Sequence, residues 1–220
     1  MVHRCRMMPG RVVRAIEDAL MPLRCVFCGT RTRDEERFIC HGCLDDLPWR
    51  ESPVSFAEPG LECVVVPLAY AFPVDAAIRA FKFRRQLHYG PAFAQLLRRA
   101  RRELPDDVDA VLPVPLHWRR KWWRGFNQAL EISRPLAGHL GLPVIHGVSR
   151  RRATPSQSGL SATARASNLR GAFRVRRALP FSHILVVDDV FTTGATASQL
   201  ARVLRQAGVE KVSLAAVARV

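Results

Sequence analysis

The chain contains no apolar run approaching the roughly 18 residues that a membrane-spanning helix needs. Its best candidate, CVVVPLAYAFPV from Cys63, is short and broken by Pro67 and Pro73. The basic N-terminus, MVHRCRMMPGRVVRAIEDALMPL, lacks both an uninterrupted apolar segment and the small-residue cleavage site of a secretory signal. Internal repeats and low-complexity tracts are missing as well. These absences predict a soluble, cytoplasmic protein without membrane insertion. With 220 residues, 48% of them hydrophobic, the chain can bury one core and carry a small appendage, which argues against a disordered polypeptide.

Acidic residues are scarce. Nineteen Asp and Glu stand against 34 Lys and Arg, a formal net charge of +15. Between Ile132 and Val187 there is no acid, while nine arginines occur: 134, 150, 151, 152, 165, 170, 174, 176 and 177. A solvated arginine-rich face would account for some of this surplus. An acid-free tract of that length suits polyanions better, either phosphorylated small molecules or nucleic acid.

What is present is concentrated. CVFCGTRTRDEERFICHGC carries Cys25 and Cys28, then Cys40 and Cys43, two hooks of two-residue spacing. Four thiolates so arranged suit a tetrahedral, structural zinc ion that closes all four coordination positions and catalyses nothing. Disulfides fit poorly with this spacing in a cytosolic chain, and a redox Cys-x-x-Cys normally comes singly. From Arg24 to Arg50 five arginines meet five acids, so this knuckle is near neutral and is a weak candidate for a nucleic-acid clamp by itself. Cys63 reads as core; Cys5 lies in the N-terminal arm and receives no role. The expected organisation is a basic arm over 1–22, the zinc knuckle over 23–50, a Pro/Ser-rich linker over 51–62 and a main domain over 63–220.

Within that domain PVDAAIRAFKF and PAFAQLLRRARREL read as helices with proline in the first turn. DAVLPVPL reads as a short buried strand. GFNQALEISRPLAGHLG has helical periodicity, with Pro135 expected to kink it and Gly141 to end it. PFSHILVVDD is a strand running into its acids, ATASQLARVLRQAG an amphipathic helix, and KVSLAAVARV a final strand. Strands alternating with helices imply an α/β fold with a doubly wound, mostly parallel sheet. Ligands of such sheets sit beyond the carboxyl ends of the strands.

The stretch VVDDVFTTGAT lies at that mouth. A loop between strand end and helix start offers backbone N–H groups and the helix dipole to an anion. Gly194 allows close backbone approach, and Thr192, Thr193 and Thr196 add hydroxyls. Asp188 and Asp189 would repel a phosphate beside that loop. The conflict resolves if the ligand carries a phosphate at one end and sugar hydroxyls at the other, since carboxylates accept from hydroxyls and suit Mg²⁺.

ILVVDDVFTTGAT resembles the phosphoribosyl pyrophosphate motif of type I phosphoribosyltransferases. The resemblance implies that Asp188 and Asp189 hold the ribose hydroxyls and that the loop Thr192, Thr193, Gly194, Ala195 and Thr196 wraps the 5-phosphate. Together with the four-cysteine knuckle, FKF at 81–83, PVPL at 113–116, RGFNQ at 124–128, TPSQSGL and RASNLRGAF, it extends over residues 23–220 and is similar to the ComF family. That family joins an N-terminal zinc knuckle to a phosphoribosyltransferase-like domain and is associated with DNA uptake in natural transformation. By this resemblance Lys82 and Arg124 become contacts for phosphoribosyl pyrophosphate. Arg165, in a segment where related enzymes carry a mobile lid, is expected to close over the pyrophosphate alongside Asp188 and Asp189 in a catalytic role.

After the strand DAVLPVPL comes a basic stretch, expected as a loop, in which Trp118, Trp122 and Trp123 interleave with Arg119, Arg120 and Lys121. Aromatics among cations suit the stacking of bases in single strands; the same tryptophans would serve equally to pack the domain. Two functions follow. One is a cytoplasmic protein that binds phosphoribosyl pyrophosphate with Mg²⁺ and handles incoming single-stranded DNA with the uptake machinery. The other is a catalytic phosphoribosyltransferase that transfers ribose 5-phosphate to a nucleobase or related amine in salvage metabolism.

Overall fold

The computed structural model describes residues 23–32, 37–55, 58–151 and 171–220. The arm 1–22, Arg165, Gln157 and Asn168 lie outside the described residues. The chain divides into two compact units, Met1–Asp46 and Leu47–Val220.

In the smaller unit the first hook is a tight turn. The Cys25 N–H donates to the Thr30 carbonyl at 2.8 Å and the Gly29 N–H to the Cys25 carbonyl at 2.9 Å, while Arg24 bridges Arg31 in antiparallel fashion. The Val26 N–H donates to the Phe38 carbonyl at 2.9 Å, which draws the second hook alongside. Helix α1 (His41–Asp45) starts directly after Cys40, and Ile39 and Leu44 are buried.

The larger unit begins with three two-residue strands, β1 (Val54–Ser55), β2 (Val64–Val65) and β3 (Leu68–Ala69). Helices α2 (Val74–Phe83) and α3 (Tyr89–Arg99) follow, then β4 (Ala110–Pro113), α4 (Trp118–Arg124) and α5 (Gln128–Leu140). A small hairpin, β5 (Val148–Arg150) with β6 (Phe173–Val175), precedes β7 (His183–Phe191), α6 (Ala195–Gln206) and β8 (Lys211–Arg219). The sheet order is β1-β2-β8-β7-β4, with β3 also paired to β8. Only β1, drawn from the stretch expected as linker, runs antiparallel; β2, β3, β4, β7 and β8 are parallel.

Alternation along the central strands builds two cores. Ile184 and Val186 of β7, with Val212, Leu214 and Ala216 of β8, face Ala197, Leu200, Ala201 and Leu204 of α6. Leu185, Val187, Ala215 and Val217, out of phase with them and equally buried, belong to the opposite face. There α5 packs against β4, β7 and α3. Each fully buried aliphatic side chain in these layers stabilises the fold by ~1.5–3 kcal/mol.

Two sequence expectations need correction. The stretch expected as a basic loop is the helix α4. Strand β7 does not stop at its acids but runs on to Phe191, held by the pairs Asp188 with Ala216, Val190 with Ala218 and Phe191 with Arg219. Charge on two consecutive residues near a strand end does not break a ladder whose bonds are all main-chain. Helix α5 continues through Pro135, whose missing N–H leaves the Glu131 carbonyl without its helical donor. Gly90 of α3 lies against that carbonyl, where an added Cβ would stand at 3.1 Å, so the two helices meet at this gap.

Candidate functional site

A cleft of about 350 Å³ opens at the carboxyl ends of β4 and β7. Asp188 and Asp189, the loop residues Thr192, Gly194 and Thr196, and the cations Lys82, Arg120, Arg124 and Arg150 all line it. Thr193 and Ala195 are not among its lining residues. The cleft therefore gathers most of the residues singled out in the sequence from three separate segments, and adds Arg150 from a fourth.

The ladder with β8 fixes the backbone of the acid pair. The Asp189 N–H donates to the Asp188 carboxylate at 2.8 Å, and Lys82, at the end of α2, places its ammonium 2.9 Å from Asp189 Oδ2. Asp189 is 6% exposed, and Asp188 is only partly accessible at the cleft wall. Burial, and after it the neighbouring Asp189 carboxylate, push the Asp188 carboxyl up to about 7, with Lys82 offsetting part of the rise. Two acids at one site with one resident ammonium leave a residual negative charge that a hydroxyl-bearing ligand or a divalent cation can satisfy.

The loop after β7 is built around Gly194 at φ +69°, a left-handed conformation suited to glycine. A Cβ there would meet the Glu58 carboxylate at 2.5 Å and the Phe191 ring at 3.2 Å, so a side chain would displace Glu58 as well as strain the backbone. Helix α6 begins immediately beyond, its first turn closed by the Ser198 N–H donating to the Gly194 carbonyl at 2.8 Å. No side chain among the described residues caps this end, which leaves its first amides to an anion.

The opposite flank is cationic. Asn127 caps α5, accepting from the Ala129 N–H at 3.1 Å, and its amide donates to the Val114 carbonyl at 3.1 Å, tying the helix to the exit of β4. Arg124 donates from Nη1 to Gln128 Oε1 at 3.0 Å and lies over the Phe83 ring at 5.4 Å. Its Nε and the Gln128 Nε2 are buried donors with no partner among the described residues. Burial works against the charge of both Arg124 and Arg150, whereas the acids favour it. Desolvated guanidiniums beside unpaired amide donors are suited to an oxyanion.

Helix α4 presents Arg120 and Arg124 to this cleft and its tryptophans outward. Trp118 and Trp123 are each 64% exposed and Trp122 is 84% exposed. Arg119 lies over Trp118 at 5.3 Å, and Trp123 meets Phe83 edge-on at 6.3 Å. The backbone of Lys121 belongs to the helix, and its side chain is outside the described set. Tyr70, Asn127, Gln128 and Arg150 were not singled out in the sequence as site residues. Asn127 is a helix-cap residue legible in RGFNQ, but nothing local marks Arg150, which reaches the cleft from the β5–β6 hairpin.

In the smaller unit the sulfurs of Cys25, Cys28, Cys40 and Cys43 lie within 4.8 Å of one another, with Cys28 and Cys40 Sγ 3.6 Å apart. A tetrahedral zinc thiolate with bonds of ~2.3 Å has edges of about 3.8 Å, so the cluster can hold such an ion. The Thr30 hydroxyl and N–H bring the Cys28 thiol down to about 6, while burial and its neighbours raise Cys43.

Residues 86–220 match the family model of the phosphoribosyl transferase domain. The chain is 31% identical over 224 residues to Competence protein F of Haemophilus influenzae, an alignment spanning 89% of this chain and 96% of that protein. It is 34% identical to DNA utilization protein YhgH of Escherichia coli K12, over 86% of this chain and 87% of the relative. The protein of the same name from Salmonella typhimurium is 37% identical over 184 residues, 80% of this chain and 75% of that one.

Proposed function

The chain belongs to the ComF family of phosphoribosyltransferase-domain proteins, and from that premise we propose that it binds phosphoribosyl pyrophosphate and acts in natural transformation, handling incoming single-stranded DNA in the cytoplasm. The observation that carries the ligand is the polarity of the single cleft. Ribose hydroxyls meet Asp188 and Asp189, the 5-phosphate meets the loop from Thr192 to Thr196, and the pyrophosphate meets Lys82, Arg120, Arg124 and Arg150. No single-charge anion calls for an acid pair and four cations lining one cavity.

The acid pair would hold Mg²⁺ together with the ligand, supplying charge neutralisation for the phosphates. Zinc in the Cys25–Cys28–Cys40–Cys43 cluster would staple the knuckle. The DNA role draws on the relatives' names and on the cation–tryptophan surface of α4.

A catalytic phosphoribosyl transfer is the second reading, favoured by the buried, unpaired donors of Arg124 and Gln128 on the pyrophosphate flank. Donors aimed at departing charge stabilise a leaving group as well as a resting one. Release of pyrophosphate in the presence of candidate bases separates the two.

Calorimetric titration of Mg²⁺ and phosphoribosyl pyrophosphate into the zinc-loaded protein is the direct test. Saturable binding is expected, weakened about a hundredfold or more in Asp188→Asn/Asp189→Asn through loss of charge-assisted hydrogen bonds. Absence of binding to the folded wild type would sink the proposal.

A further inference from the structure

A second cavity of about 270 Å³ adjoins the cleft and shares Leu116, Asn127 and Arg150 with it. Leu130, Ile145 and Val148 give it apolar walls, and Trp118 stands at its edge with most of its indole exposed. Arg150 and Arg176 are its charged groups, and no acid lines it among the described residues. The Ser149 hydroxyl, buried on this wall, has no hydrogen-bond partner among them. An apolar slot with a flat indole, one unpaired hydroxyl and two guanidiniums matches a planar heterocycle that carries a phosphate.

We propose that this cavity binds the nucleobase of a nucleotide, with the base stacked on Trp118 and its phosphate on Arg150 or Arg176. Outside the slot, Trp122, Trp123 and Phe83 continue as exposed aromatics, with Arg119 over Trp118 and Arg124 over Phe83. That continuation favours a polynucleotide strand over a free mononucleotide as the source of the base, since several bases then find platforms in succession.

The position also has a chemical consequence, which rests on the phosphoribosyl pyrophosphate reading. With the ribose on the β7 acids and the pyrophosphate on Arg120, Arg124 and Arg150, a base beyond Arg150 stands on the leaving-group side of the ribose C1. A nucleophile displacing pyrophosphate in line approaches from the other side. The base held in this slot is therefore bound and not ribosylated.

The test uses the full, zinc-loaded chain and an end-labelled oligo(dT), with fluorescence anisotropy as the readout. Ser149→Leu fills the slot and Trp118→Ala removes its indole, and each is expected to weaken the strand about tenfold. Phosphoribosyl pyrophosphate titrated into Ser149→Leu should bind as to wild type. An abasic strand of equal length should bind the wild type more weakly than either variant binds oligo(dT). Displacement of the strand by dTMP at comparable concentration would assign the slot to free nucleotides and overturn the strand as its occupant. Trp118 is exposed, so its truncation decides the matter if Ser149→Leu does not fold. Unchanged strand affinity in Trp118→Ala and in a folded Ser149→Leu, with phosphoribosyl pyrophosphate binding intact, overturns the base site alone. If phosphoribosyl pyrophosphate does not bind the wild type, the underlying reading and the leaving-group placement fall together, whatever the strand does.

Discussion

Strand β7 carries a charged cluster at each end, and the two are built on opposite principles. At the amino end His183 bonds Asp107 through Nδ1 at 2.8 Å and the buried Ser213 hydroxyl through Nε2 at 2.9 Å. The Cys63 sulfur lies 3.5 Å from that hydroxyl, and Lys211 donates to the second Asp107 oxygen at 2.8 Å. Lys211 first and His183 after it hold the Asp107 carboxyl down at about 2. An acid, an imidazole and a hydroxyl in a row have the order of a nucleophilic triad, but Ser213 is 0% exposed and no substrate reaches it. At the carboxyl end the acid is raised instead of lowered, and buried donors stand unpaired. A polar network that satisfies itself stabilises the sheet; one that does not is completed by a ligand.

The largest expected effect breaks the satisfied end. His183→Leu removes the strongest partner of the buried Ser213 hydroxyl and one of the two partners of Asp107, and should cost about 2–4 kcal/mol in urea denaturation while leaving phosphoribosyl pyrophosphate affinity unchanged. The unsatisfied end should respond in the opposite sense. The Asp188 carboxyl has a folded pKa above the ordinary aspartate value, so the folded state binds the extra proton and stability falls as pH rises from about 4 to 7. Asp188→Asn removes that liability and should raise the melting temperature by about 3–6 °C at pH 8, with the gain vanishing near pH 4, while ligand binding is lost. A variant that loses both stability and binding at pH 8 would contradict the burial cause.

The smallest effect sharpens the contrast. Asp107 is depressed, so its contribution is fully present above the unfolded value near 3.8 and is lost as pH falls through about 2. Asp107→Asn should therefore match wild type at pH 2 and be modestly less stable at pH 6, as read by thermal denaturation. The carboxylate is half exposed, so solvent screening keeps this difference small.

The parts of this protein legible in its sequence are those whose chemistry is contiguous. The acids, the loop and the start of α6 lie within a dozen residues, and the four cysteines within nineteen. Lys82 meets Asp189 across more than a hundred residues of chain, and only sheet closure brings them together. Arg150 arrives on a hairpin with no motif of its own. Helix α4 was hidden for a different reason. Apolar periodicity marks a helix by its buried face, and WRRKWWR turns its large aromatics outward. The end of β7 was misjudged because aspartates suggest a break, while main-chain pairing to β8 carries the strand past them.

Burial of Asp188 has a further consequence for measurement and for the cell. A carboxyl raised toward neutral pH accepts a sugar hydroxyl or a divalent cation best once its proton has left. Occupancy of the cleft should then release protons near neutral pH, and fewer as the pH is raised to 8. The heat of binding would change with the ionisation enthalpy of the buffer. The protein would grip such a ligand more tightly in alkaline surroundings than in acidified ones.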